Sequence, residues 1–467
     1  MGGSGADVLI GLAEPQPIAE TSAPSEPALS PIRTVHWMTA WTSGTTPSIS
    51  MSSITLRTIV DVWAATAGRR CGRLPNKPGS HYAFANGGIV AGCSVSATSR
   101  YSQYGAARSS DESGVDALWL REARMIVSDL FRRSPALYWT DLLLSAGAAW
   151  TLTAAYFLAP PWSPLQITAF LGASILFFRA GTFIHEIVHM PAQTMRGFAR
   201  AWNLLIGIPL LMPWILYRNH VEHHSPKHFG TPDDGEYLPL ASSPLAETLK
   251  YLAQAPLLPL FMVIRFGVLG PLSWCSPRLR EWVLTHASAA VSNPYYRKRF
   301  PKRDERHLLI VEALCFAYLL AIAVLLWMRI IGFTQLLMAY LLLAWSLGLN
   351  WLRNLAAHRY GNRGGSLSHA EQVADSINIT GQTWLTVLLF PVGLRYHALH
   401  HMFPAMPYHN LGKAHRRLME RLPADAPYRA SSRDNFFAAV RELWQSATQT
   451  PPQDSAMRVW NPGSHRT

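Results

Sequence analysis

Nine of the chain's 18 histidines fall at spacings that could gather imidazoles around a metal. HEIVH carries His185 and His189, HVEHH carries His220, His223 and His224, and HALHH carries His397, His400 and His401. A ninth, His358, stands in NLAAH. At a histidine frequency of about one in 26, a fixed HxxHH should arise about 0.03 times in such a chain, yet it occurs in both the second and third boxes. On a helix, residues i, i+3 and i+4 share one face, so each box can direct two or three imidazoles at a single point. Nine imidazoles exceed the roughly six positions of one octahedral ion, so the count implies two metals. Imidazole suits zinc, copper, iron and nickel alike, so the reaction class has to choose among them.

Simpler readings explain less. A lone histidine at a membrane interface is usually satisfied by hydrogen bonds or headgroups, and for His358 that remains the lesser of two readings. Eight histidines in three boxes do not fit it. His228, His286, His307, His369, His409 and His415 lack box spacing and are read as non-ligands. HEIVH also fits HExxH, in which two histidines hold zinc and Glu186 is the base of a metalloprotease. Against that, Met195 occupies the third ligand position of a metzincin, no LDG or NPDG-type motif follows, and the other boxes would have no purpose. A metal transporter should place its ligands near mid-bilayer, whereas every box here lies at or beyond a helix end.

The elements that must position these boxes are apolar. Segments 138–158, 165–184, 308–327 and 330–352 are nearly free of charge. Each is long enough to cross about 30 Å of hydrocarbon. The expected fold is therefore all-α and integral to the membrane: two transmembrane hairpins, four spans, and a cytoplasmic helical cap carrying a histidine-ligated di-metal site. Ser134 and Pro135 mark a helix start as N-cap and first helical residue. Apolar pieces 202–217 and 256–272 are broken by proline or glycine and are expected at the interface. The net charge of +13 is spread asymmetrically. Loops 159–164 and 328–329 carry one basic residue between them, while Arg121, Arg124, Arg132, Arg133, Arg196, Arg200, Arg218, Lys227 and the 297–306 run flank the other side. By the positive-inside rule the hairpin tips point out, and the charge reads as topology and anionic-lipid contact rather than nucleic-acid binding.

Residues 1–115 are rich in Ser, Ala, Gly, Pro and Thr. They are expected to be a disordered extension with a short helix near 56–67, or an over-extended frame starting in truth at Met51 or Met125. No secretory signal precedes the spans. Residues 116–425 form the expected membrane domain, and 426–467 a tail with a short helix and a frayed end. Cys71, Cys93, Cys275 and Cys315 show no metal or disulfide spacing.

Taken together, about Leu120 to Leu422 resembles the membrane fatty acid desaturases and their hydroxylase relatives. HxxxH, HxxHH and HxxHH occur in that family's order, separated by two membrane hairpins, and HHMFPAMPYHNLGKAHRRL resembles the surroundings of its third box. The first box looks like the acyl-lipid and sphingolipid-type branches. NLAAHRYG is similar to the family's NxxxH element, which implies His358 as an iron ligand and Asn354 as one acting through water. The resemblance implies two non-haem irons with dioxygen as co-substrate, iron being preferred because it activates dioxygen, and a fatty-acyl lipid substrate held among membrane lipids. It favours desaturation, with hydroxylation or ketolation of a lipid or carotenoid as the alternative. It also implies a bacterial inner-membrane setting with the site on the cytoplasmic side. No HPGG-bearing haem domain is present, so electrons are expected from a separate ferredoxin or small cytochrome, with Lys413, Arg416, Arg417 and Arg421 as a docking face. Glu186, Glu222 and the run Asp233, Asp234, Glu236 are candidates to hold imidazole N–H groups.

Overall fold

The computed structural model describes residues 110–191, 194–381 and 383–462, side chains of 110–117 and of 196 excepted. The expected extension up to residue 109, its helix at 56–67, the start at Met51, and Cys71 and Cys93 lie outside the described residues, as does the end of the tail from 463.

A first helix, Ser110–Ile126, leads into a hairpin of Pro135–Leu158 and Pro164–Val188. Small residues let these two long helices approach closely: Ala146 and Ala149 on one, Ala169, Ala173 and Ala180 on the other, all buried. Pro135 occupies the first turn as expected, but the Ser134 hydroxyl makes no capping bond. Its backbone N–H instead donates to His409 Nε2 at 3.2 Å. At the second helix the cap is complete, Ser163 accepting from the Gln166 N–H at 3.1 Å.

Glu305–Trp327 and Phe333–Asn354 follow in sequence but pack elsewhere than on each other, Glu305–Trp327 chiefly against Arg265–Trp274 and Phe333–Asn354 against Leu245–Ile264 and Pro164–Val188. Leu309, Leu320, Leu337 and Leu341 face outward on them. Water would penalise so much exposed leucine; hydrocarbon does not.

By length and composition five helices among the described residues could cross a membrane, one more than the sequence suggests. Four coincide with the expected spans. The fifth, Leu245–Trp274, absorbs segment 256–272. Pro256 and Pro259 sit inside its Leu245–Ile264 part without ending it. A neighbouring helix touches this stretch, the Tyr340 hydroxyl donating to the Pro256 carbonyl. One π-turn, Arg265–Leu269, joins it to Gly270–Trp274. Segment 202–217 is short and broken, with a π-turn at Asn203–Gly207 and a 3-10 turn at Trp214–Tyr217.

Short elements join and follow these helices. A two-residue parallel pair, Asn378–Ile379 with Ser432–Arg433, steadies the segment before the third box. The tail is more ordered than a short helix: Phe436–Gln449 and Met457–Trp460 bury Leu443, Met457 and Trp460 in one core with Tyr237, Tyr251 and Trp351.

Candidate metal centre

His185 lies in the last turn of Pro164–Val188, and His189 caps that helix. The second box forms a single helical turn, His220–His223, capped by His224. The third forms His397–Met402, in which all six residues are buried. Asn378 Oδ1 accepts from the Leu399 N–H at 3.2 Å, and Arg395 Nε donates to the Ile379 carbonyl at 2.9 Å, fixing the register of this helix. His358 follows the end of Phe333–Asn354 and is held by an isolated bridge to Ser376.

All nine histidines converge, at two points rather than one. His185, His189, His220, His224 and His400 form one group and His223, His358, His397 and His401 another, with the candidate donor atoms of each within 4.8 Å of one another. The groups abut: the His224 and His401 rings are 4.3 Å apart. The helical repeat explains the split. At 100° per residue, i and i+4 diverge by 40°, so His220 pairs with His224 and His397 with His401. Residue i+3 points about 100° away from i+4, so His223 and His400 each reach across to the other group. Each HxxHH box therefore serves both points.

Carboxylates set the imidazole tautomers. His220 Nδ1 lies 2.7 Å from Glu236, and His223 Nδ1 lies 2.8 Å from Asp234. His358 Nδ1 sits 3.4 Å from Asp375 and 3.2 Å from the Ser376 hydroxyl. With Nδ1 donating, each Nε2 carries a bare lone pair. Yet His223 and His358 bring their Nε2 atoms to 3.2 Å, and His397 brings its own to 2.9 Å from that of His358. Likewise His224 Nε2 is 3.0 Å from both His220 Nε2 and His400 Nε2. Nitrogen lone pairs crowded this way repel unless a cation stands among them. His185 Nε2, His189 Nε2 and both nitrogens of His401 are buried without a hydrogen-bond partner, a cost that coordination would remove. The donor set is all imidazole, and it fits a pair of transition-metal ions.

Electrostatics keep most of the set neutral. Burial, then the charge of neighbouring imidazoles, holds His220, His224, His400 and His401 far below the ordinary imidazole pKa, and His397 likewise. His189 is lowered to about 3 by burial and by Arg133, and His358 to about 4 by burial against the pull of Asp375. Burial opposes charge on His223 too, but Asp234 and Glu236 overrule it and raise its pKa. Glu236 itself is raised to about 7 by burial.

Other expectations turn out differently. Glu186 and Glu222 do not hold imidazoles: Glu186 accepts from the Tyr138 hydroxyl, and Glu222 pairs with Lys298 at 2.5 Å and accepts from Tyr296 at 3.4 Å. Each adjoins a ligand in sequence, and a 100° step turns it away from the imidazoles. Of the acidic run, Asp234 and Glu236 reach histidines while Asp233 is exposed. Gly230 makes this possible: at φ +70 it turns the chain, and its N–H donates to Asp234 at 3.0 Å. Asp375 and Tyr217, whose hydroxyl bonds Glu236 at 2.8 Å, went unnoticed in sequence because no spacing ties either to a box. The Asn354 carbonyl accepts from Tyr360 at 2.6 Å, its side chain bonds Tyr251, and it lines the cavity that His185 also borders. Among the described residues, none of the six remaining histidines joins either group. His369 holds the His401 carbonyl at 2.9 Å and His415 the Tyr428 hydroxyl at 2.7 Å.

Beside His185 opens a cavity of about 170 Å³, walled by Phe177, Ile206, Leu258 and Met262, with a polar patch of Tyr217, Glu236, Asn350, Arg353 and Asn354. A family model described as fatty acid desaturase matches residues 159–432, which carry every histidine of the two groups. A ceramide hydroxylase of Caulobacter vibrioides is 35% identical over 334 residues, covering 70% of this chain and 94% of that protein. Boxes, spans and matched length agree, and the chain belongs to the fatty acid desaturase family.

Proposed function

We propose that this chain hydroxylates a hydrocarbon chain of a ceramide-like lipid, using dioxygen and two electrons at a non-haem di-iron centre. One observation carries the reading: five and four imidazoles, nearly all buried, converge in two abutting groups with bare nitrogens facing one another. Iron bound there would supply dioxygen activation sufficient to break an unactivated C–H bond. One oxygen atom enters the lipid; the other leaves as water with two protons and the two electrons. The chain's own work is positional. Its imidazoles hold and space the ions, Asp234, Glu236 and Asp375 orient three of those rings, and the apolar wall keeps water out while presenting a methylene beside His185.

Hydroxylation is preferred because the relative that aligns over nearly its whole length is named a hydroxylase. Desaturation is the second reading, favoured by the family's description, and it uses the same residues. The zinc-protease reading has little left: Glu186, its required base, is engaged by Tyr138, and seven further imidazoles stand beside His185 and His189. Electrons would come from a separate ferredoxin or small cytochrome docking on exposed Lys413, Arg416 and Arg421, Arg417 being paired with Asp129. We assign four spans in a bacterial inner membrane with the site on the cytoplasmic side. Leu245–Trp274 would lie along the interface, since Tyr251 near its start stacks on Trp351 and Arg265 near its end bonds Ala287 and Ser288, both close to the site.

Expression in a ceramide-producing host tests the reading. Lipids should gain one oxygen, and purified protein should hold about two irons per chain. Loss of two hydrogens without added oxygen would move the assignment to desaturation, and a single zinc would end both.

A further inference from the structure

Arg353, in the last turn of Phe333–Asn354, is 6% exposed and lines the cavity beside His185. Its one side-chain hydrogen-bond partner among the described residues is Asn350, whose Oδ1 accepts at 2.7 Å, and its Nε is buried without a partner. No carboxylate stands at ion-pair distance from it among the described residues, although Glu236 lines the same cavity. A buried cation so weakly served costs several kcal/mol unless an acceptor reaches it. The surrounding wall is apolar, and the polar patch holds donors (Arg353, Asn350, Tyr217) next to an acceptor carboxylate (Glu236).

We propose that Arg353 grips a neutral acceptor oxygen of the lipid substrate, an amide carbonyl or a hydroxyl, and so selects lipids whose polar group lies close to the reacting carbon. This rests on the lipid-hydroxylase reading and adds the residue that recognises the lipid. Glu236 lines the same cavity with its oxygens facing His220 Nδ1 at 2.7 Å and the Tyr217 hydroxyl at 2.8 Å. An acceptor-only fatty-acid carboxylate therefore finds acceptors beside it, whereas an amide or hydroxyl can accept from Arg353 and donate to Glu236. A cation in a helix's last turn also complements that helix's dipole. That role would survive Arg353→Lys; a forked contact to an oxygen would weaken.

The test is equilibrium binding to purified, metal-loaded full-length protein. Four radiolabelled probes are compared: N-palmitoyl sphinganine, an N-alkyl palmitamide without hydroxyls, palmitate, and an alkane of matched length. The wild type should prefer N-palmitoyl sphinganine to palmitate and to alkane by at least about tenfold, the size of one charged hydrogen bond. Arg353→Met should erase that preference with iron content unchanged, and Arg353→Lys should keep only part of it. If the palmitamide binds like the ceramide, the amide is the gripped group; if it falls to the alkane, a hydroxyl is. A wild type without preference overturns the proposal even if the variants do not fold, and so does an Arg353→Met protein that keeps the preference. Binding that discriminates as expected while no oxygenated lipid ever forms would leave the recognition intact and sink the hydroxylase reading instead.

Discussion

The two histidine groups are built alike and housed differently. In the group of His223, His358, His397 and His401, every ring is buried and two of the four are backed by carboxylates, Asp234 and Asp375. In the group of His185, His189, His220, His224 and His400, two rings are only half-buried, one carboxylate serves five rings, and His185 fronts the cavity. The first group is the more enclosed, and only the second borders the cavity that the proposed function assigns to substrate. That reading expects one site to hold its ion more rigidly than the other.

The sharpest way to break the comparison is to delete one ligand from each side. His401→Ala and His400→Ala should both abolish lipid oxidation, since a pair acts as a unit. Their metal content should differ. His401→Ala should empty the closed site and lower thermal stability, because that site's metal is tied to its folding. His400→Ala should lower iron by about one per chain with a smaller stability loss. Equal loss of both irons and equal destabilisation would show one indivisible centre. Metal analysis with thermal unfolding reads both.

Next in size is the carboxylate backing. Asp234→Asn should weaken metal retention by about 10- to 100-fold, the usual scale for a partner that orients a ligating imidazole. Asp234 also accepts from the Gly230 N–H at 3.0 Å and the Glu236 N–H at 2.8 Å, so this variant should unfold earlier as well. Glu236→Gln, behind one ring of five, should cost less. Chelator challenge ranks them, and the reverse order would mean that the open group is the tighter site.

How much of this was legible in the sequence follows from what spacing encodes. The boxes and the four expected spans read directly, because ligand repeats and apolar length are one-dimensional signals. The division of each box between two centres was written in the i, i+3, i+4 angles, yet it needs the facing helices to become visible. Asp375 and Arg353 are fixed only by tertiary approach: nothing in HAEQVADS or GLNWLRN distinguishes a buried carboxylate or cation from an exposed one. Glu186 and Glu222 misled for the opposite reason. Sequence adjacency to a ligand suggested contact that helix geometry forbids. Leu245–Trp274 was divided by prolines in the reading, while in the fold the helix runs through them.

Acid should act more gently, and it sets His223 apart from the other ligands of both groups. His189 and His358 are lowered to about 3 and about 4, and His220, His224 and His400 lie far below the ordinary value of 6.5. Metal-free folded protein therefore refuses protons that the unfolded chain accepts near pH 6.5, and its stability falls as pH drops below that value toward 4 and 3. His223 has the opposite sign: its raised pKa contributes stability that is complete below 6.5 and fades as pH rises through the raised value. Melting temperature should fall between about pH 7 and pH 5, less after His189→Gln and more after His223→Gln. Matching slopes in the two variants would remove the electrostatic distinction between His223 and the other ligands.

The smallest expected effect sits between them. Glu222 lies in sequence beside His223 of the closed group and two residues from His220 and His224 of the open one. Its carboxylate nonetheless turns to Lys298 and Tyr296 at a partly exposed surface. An exposed ion pair contributes about 0–1 kcal/mol, so Glu222→Gln should change turnover by less than about twofold and leave metal content as it was. The null result is informative because replacing His223, its immediate neighbour, or His224, one residue further, should eliminate activity. A tenfold loss of metal on this one conservative change would mean that Glu222 reaches an imidazole after all. The boundary between locked and open ligands would then have to be redrawn through the second box.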